Sequence, residues 1–192
     1  TMTGAGTSSI TGITLQTNSA AIVAVTGSAA SILFIQNCYL NCTNNTGITF
    51  SSSSASSQIN ITNCKGDLGT TGIGLHNTTG AGSILFVECT FTNTGNSLTG
   101  DTISSGSLGC KNSQFTHPIT TSSTACLSME YSKISTSATN TTCLTQNSTG
   151  STGAVIQGHF ASGTASAISI GAGATLLTSH TVINSSNSNV IT

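Results

Sequence analysis

The sequence predicts an all-β solenoid of parallel strands in about eight coils, and three observations carry that expectation. A short phrase recurs at coil spacing, a second apolar beat follows each copy after a polar turn, and no window of helical length places apolar residues at three-and-four spacing. A periodic stack also fixes which side chains lie above one another, so chemistry can be judged column by column.

The phrase is clearest as Leu33-Phe34-Ile35-Gln36-Asn37-Cys38-Tyr39-Leu40, as Ile59-Asn60-Ile61-Thr62-Asn63-Cys64 and as Leu85-Phe86-Val87-Glu88-Cys89-Thr90-Phe91. Weaker copies run from Leu108 to Phe115, Leu127 to Ile134, Val155 to Phe160 and Thr175 to Val182. The second apolar residue of each copy gives Leu15, Ile35, Ile61, Val87, Cys110, Met129, Val155 and Leu177, at steps of 19 to 26 residues. Steps this uneven fit strands that hold register while surface loops vary in length. The second beat appears at 21–25, 47–50, 72–75, 102–103, 118–120, 143–144, 167–170 and 190–192, short and rich in β-branched residues. One domain is expected over 1–192, with residues 1–30 as a first coil or cap and 31–192 as regular coils. The chain stops within a strand-like segment, which would expose an edge, so a piece of a longer polypeptide, or ends covered by other domains or subunits, is expected.

Charged residues make up 4 % of the chain, the cations being Lys65, Lys111 and Lys133, with net charge −1. Neutralising phosphates takes several cations, so no nucleic-acid partner is expected. No run of about 18 apolar residues offers a membrane span. A disordered linker, the other reading of so much Ser, Gly and Thr, would lack the regular apolar pairs.

Seven cysteines meet the column test. Cys38, Cys64 and Cys89 share one repeat position, assigned further along to Ser113, Ser132, Gly158 and His180, so cysteine reads as a small core residue. An odd number without repeated short spacing speaks against a disulfide framework or a zinc site, and free thiols from folding in a reducing cytosol are expected. Asn37, Asn63 and Asn112 share a column at a bend, where asparagine tolerates left-handed backbone and stacked amides can bond along the column. No metal or cofactor site is expected.

The carboxylates are Asp67, Glu88, Asp101 and Glu130. The repeat alignment places Gln36, Thr62, Glu88, Lys111 and Glu130 in one solvent-facing column, where a Glu-Lys-Glu ladder would be a structural charge pairing. The rival reading makes Glu88 and Glu130 an inverting glycosidase pair, two rungs or about 9.6 Å apart. Lys111 would stand where the water and sugar must go and would lower both acid pKa values, so the ladder is preferred. Asp67 and Asp101 read as turn residues. The histidines are His76, His117, His159 and His180; His76 and His159 have no second histidine or carboxylate at a ligand-like interval, and His180 reads as a packed or partly exposed residue rather than a ligand.

The phrase at 33–40, with its echoes at 59–64 and 108–115, resembles right-handed, single-stranded parallel β-helix domains of the pectate-lyase-like superfold. The stretches 167–177 and 184–192 resemble β-helical segments of bacteriophage tail fibres, tailspikes and related bacterial surface fibres. The resemblance implies a fibre or adhesin shaft, commonly a homotrimer, on a virion tail or an extracellular surface, presenting contacts to a host glycan or protein receptor. The alternative it leaves is a carbohydrate-active β-helix that depolymerises a polysaccharide. The absence of arginine and of an acid cluster departs from the enzymatic members of the superfold.

Overall fold

A computed structural model describes residues 1–18, 21–42, 46–52, 54, 56–68, 72–76, 82–92, 101–116, 118–121, 125–136, 142–147, 152–162, 165–185 and 191. Among them there are 23 strands and no helix, and the strands run in triplets. The first coils comprise β1 (Gly6–Thr11), β2 (Thr14–Thr17) and β3 (Val23–Gly27), then β4 (Ser31–Gln36), β5 (Tyr39–Cys42) and β6 (Thr46–Ser52), then β7 (Gln58–Thr62), β8 (Lys65–Asp67) and β9 (Gly72–His76). The middle coils comprise β10 (Ser83–Val87), β11 (Thr90–Thr92) and β12 (Asp101–Ser105), then β13 (Ser107–Lys111), β14 (Gln114–Phe115) and β15 (Ile119–Thr121). The remaining strands are β16 (Cys126–Glu130), β17 (Lys133–Ser135), β18 (Leu144–Gln146), β19 (Thr152–Ile156), β20 (His159–Ala161), β21 (Ile168–Ile170), β22 (Thr175–Ser179) and β23 (Val182–Asn184).

Each strand pairs in parallel with the corresponding strand of the next coil, which builds three long sheets. The first holds β1 and every third strand to β22, the second holds β2 to β23, and the third holds β3 to β21. The fold is therefore an all-β parallel solenoid. The repeated phrase covers two strands of each coil, broken at a bend, and the second apolar beat is the third strand.

Alternation sends every second side chain inward. Along the first sheet the inward columns are Leu33, Ile59, Ile84, Leu108 and Leu127, and beside them Ile35, Ile61, Phe86, Cys110, Met129 and Val155, all buried. The second sheet contributes Leu40, Phe91, Phe115, Ile134 and Phe160, and the third Val23, Val25, Ile48, Phe50, Ile103, Ile119, Leu144 and Ile168. Burying each such side chain contributes about 1.5–3 kcal/mol, which the ordering of so many loops offsets. The aromatic centre joins two coils: Phe86 meets Phe91 edge-on at 5.6 Å and Phe115 edge-on at 5.3 Å, while Phe91 and Phe115 stack at 6.2 Å.

Two inward positions break the apolar rule in a paired way. Gly153 follows Leu127 in its column, and the side chain of Gln146, buried on β18, reaches into the space a Cβ there would fill. Assigned from its surroundings so that its nitrogen faces the Thr175 carbonyl, the Gln146 amide donates there at 3.2 Å and accepts from the Gly153 N–H at 3.3 Å, tying the third sheet to the first across the core. A buried amide satisfied on both sides avoids the cost of a stranded polar group.

The register corrects part of the column assignment. Ile35 and Ile61 continue into Phe86, not Val87, and the column that begins at Ile10 ends at Thr178, not Leu177. Leu85, Phe86 and Val87 are three apolar residues in a row, so the sequence leaves their parity open. Packing sends Phe86 inside, fully buried, and leaves Leu85 on the outer face.

Candidate functional site

The site grows out of the bend between the first and second strands of each coil. One non-glycine residue there adopts left-handed backbone in seven successive coils: Asn37 (φ 53°), Asn63 (49°), Glu88 (55°), Asn112 (49°), Tyr131 (50°), Gln157 (49°) and His180 (50°). Gly12 (φ 70°) does the same in the first coil. A chain that must turn sharply between two sheets uses this conformation, which asparagine tolerates best. The amides bond along the column between the first two asparagines, Asn63 Nδ2 donating to Asn37 Oδ1 at 2.7 Å, while Glu88 stands between Asn63 and Asn112.

The residue after each bend points inward and is small: Cys38, Cys64, Cys89, Ser113, Ser132 and Gly158. His180 belongs to the bend itself, so Thr181 takes the place the sequence reading gave it. These side chains form a ladder of bonds. The Cys38 N–H donates to Cys64 Sγ at 3.4 Å, the Cys89 N–H to Ser113 Oγ at 3.1 Å and the Ser113 N–H to Ser132 Oγ at 3.1 Å. Each sulfur or hydroxyl in turn donates to the carbonyl two residues back, as in Cys89 to Val87 at 3.3 Å and Ser113 to Lys111 at 2.8 Å. Burial pushes the Cys64 thiol above its ordinary value and the Cys89 thiol up from 9.0 to about 11. None of the seven cysteines is bridged in a disulfide, and Cys126 is the exposed one.

Over the first four coils a groove of about 420 Å³ runs along this bend. Gly12, Asn37, Asn63 and Glu88 form one wall. The other is the start of the second sheet, Thr14, Tyr39, Lys65 and Thr90. Ile13, Cys38 and Cys64 lie between them. The Tyr39 side chain is 42 % exposed, and Asn37, Asn63, Lys65, Glu88 and Thr90 are exposed.

The predicted charge column is divided here. Parallel pairing stacks Gln36, Thr62, Val87, Lys111, Glu130 and Ile156, while Glu88 stands in the bend column with Asn63 and Asn112. Lys111 Nζ and Glu130 Oε2 are 3.3 Å apart and about half exposed, an ion pair contributing about 0–1 kcal/mol. Glu88 and Glu130 thus occupy different columns two coils apart, with Glu130 engaged by Lys111. Asp67 and Asp101 lie in β8 and at the start of β12 rather than in turns, and Asp67 is buried.

His159 Nε2 lies 3.2 Å from Asn184 Nδ2, and His180 Nδ1 lies 2.8 Å from Ser179 Oγ. His117 falls outside the described residues. Among the described residues no three His, Cys, Asp or Glu side chains gather as a metal site, and no helix is long and apolar enough to cross a membrane. Sequence reasoning did not single out Tyr39, Lys65 or Thr90. Dividing the phrase at the bend would have stacked them in one column. No family model, curated protein or solved structure matches the chain.

Proposed function

We propose that this chain is a structural segment of a fibre or adhesin, of the kind found in phage tail fibres, tailspikes or bacterial surface fibres, that self-associates as a homotrimer and presents attachment surfaces to a host. One observation carries the reading: the coils stack in register around a buried apolar core, while the outer face of the first sheet also bears apolar side chains. Phe34, Leu85, Ile156 and Leu177 are exposed there, Leu177 to 69 %, in a chain with only seven charged residues to keep it apart from its copies. A face of this kind supports contact with identical copies. The reading needs no reacting pair.

Mass measurement in solution tests it, together with incubation on capsular and lipopolysaccharide fractions. The expected result is a trimer that resists heat and detergent and releases no new reducing ends. A monomer that cleaves glycan would overturn it.

A further inference from the structure

We infer that the bend groove over the first four coils is a binding site for a linear, uncharged oligosaccharide; this rests on the attachment reading above and gives that attachment a ligand class. The groove's volume of about 420 Å³ is that of an organic ligand rather than an ion or a water. Its lining comes from four adjacent coils, so at about 4.8 Å per rung it runs about 14 Å across the strands. That shape suits a short run of linked rings better than one compact molecule.

The chemistry of the walls selects the class. A sugar ring offers an apolar C–H face and a rim of hydroxyls that both donate and accept. Tyr39 supplies an exposed aromatic face with a polar tip. Glu88 offers only acceptors, Lys65 only donors, and Asn37, Asn63 and Thr90 both, which together match hydroxyls of either polarity. The bond between Asn37 and Asn63 uses one oxygen and one N–H, leaving the Asn37 amide NH₂ and the Asn63 carbonyl outside it. Lys65 and Glu88 both line the groove, while the ion pair among the described residues is Lys111 with Glu130. One positive and one negative charge leave the groove without net charge, and a uronate chain would meet the Glu88 carboxylate. The concentration of such groups is itself informative: the chain has two tyrosines and seven charged residues, and this groove holds one of the first and two of the second.

The chain has no tryptophan, so Tyr131→Phe leaves Tyr39 as the single tyrosine and makes its fluorescence a reporter inside the groove. In that background the whole chain is titrated with linear oligomers of glucose, galactose, mannose and N-acetylglucosamine, with oligogalacturonate as the charged comparator. The expected result is a saturable change with at least one neutral series. Glu88→Gln and Lys65→Ala should each weaken it about tenfold or more, the loss of one hydrogen bond to a charged group. Gln157 already occupies the same bend position, so the backbone accepts glutamine at 88. Ile156→Ser, on the outer face of the first sheet, should leave binding unchanged. No saturable change with any neutral series, binding indifferent to both groove variants, or a preference for oligogalacturonate would each overturn the proposal. A trimer that binds no oligosaccharide removes the groove reading and leaves the shaft; a monomer that binds one does the reverse.

Discussion

At the scale of single residues, three positions carry testable costs. Cys89 accepts the Cys64 N–H and donates to the Val87 carbonyl, the two roles that Ser113 and Ser132 fill with hydroxyls, so Cys89→Ser should cost under about 1.5 kcal/mol at neutral pH. Burial raises the folded Cys89 pKa from 9.0 to about 11, so the folded chain keeps a proton that the unfolded chain has lost between those values. Its stabilising contribution is therefore complete below pH 9 and lost as pH rises through about 11, on the order of 2 kcal/mol. Melting curves from pH 8 to 11.5 should show the wild type losing more stability than Cys89→Ser; parallel curves would contradict this. Tyr131 holds left-handed backbone at φ 50° where Asn37, Asn63 and Asn112 hold it in other coils, so Tyr131→Asn should gain about 1 kcal/mol in denaturant titration. Thr121 is fully buried, and its Oγ1 has no hydrogen-bond partner among the described residues, so Thr121→Val should gain about 1 kcal/mol, and a loss would mean the hydroxyl is satisfied. The bend was legible at its three asparagines because their chemistry suits it. It was illegible at Glu88, Tyr131, Gln157 and His180, where the register imposes the conformation on residues that do not favour it.

At the scale of elements, strand pairing explains which glycines matter. Gly66 lies in β8 at φ 143°, between Leu40 and Phe91 in the second sheet, and a Cβ there would run into the Leu40 carbonyl. Backbone cannot give way as a side chain can, so Gly66→Ala should cost more than about 3 kcal/mol and disturb the β5, β8 and β11 ladder. At Gly109 in β13 the nearest obstacle is Leu85 Cδ1 at 2.8 Å, the end of an exposed side chain that can rotate away. Gly109→Ala should therefore be neutral or gain up to about 1 kcal/mol, since glycine weakens a strand interior. Chemical denaturation of the two variants checks the contrast, and equal losses would refute it. The same pairing shows what the sequence conveyed about elements. The third strand of each coil stood out because a polar turn precedes it. The second did not, because only two residues, the bend residue and the small inward one after it, separate it from the first and the two read as one phrase. That merging also hid the groove, whose second wall is the start of the unrecognised strand: Tyr39, Lys65 and Thr90.

At the scale of the whole molecule, stability in a solenoid passes from coil to neighbouring coil rather than through one central core. The Phe86, Phe91 and Phe115 cluster is the strongest such link, since its edge-on and stacked contacts join β10 and β11 to β14 in the following coil. Phe115→Ala removes two of the three ring contacts from a fully packed site and should cost about 3–5 kcal/mol. If the coils are coupled mainly to their neighbours, that loss will not be spread evenly. Hydrogen exchange should speed up most in β11, β14 and β17, which share the second sheet around position 115, and least in β4, β5 and β6, two or more coils away. A uniform acceleration across every strand would mean that the stack opens as one unit, and would move the origin of its stiffness from local links to whole-chain cooperativity. The graded pattern is expected because the inward columns change character along the chain, from Ile35 and Ile61 through Phe86 to the exposed Thr178, so successive interfaces differ in how much apolar surface they bury.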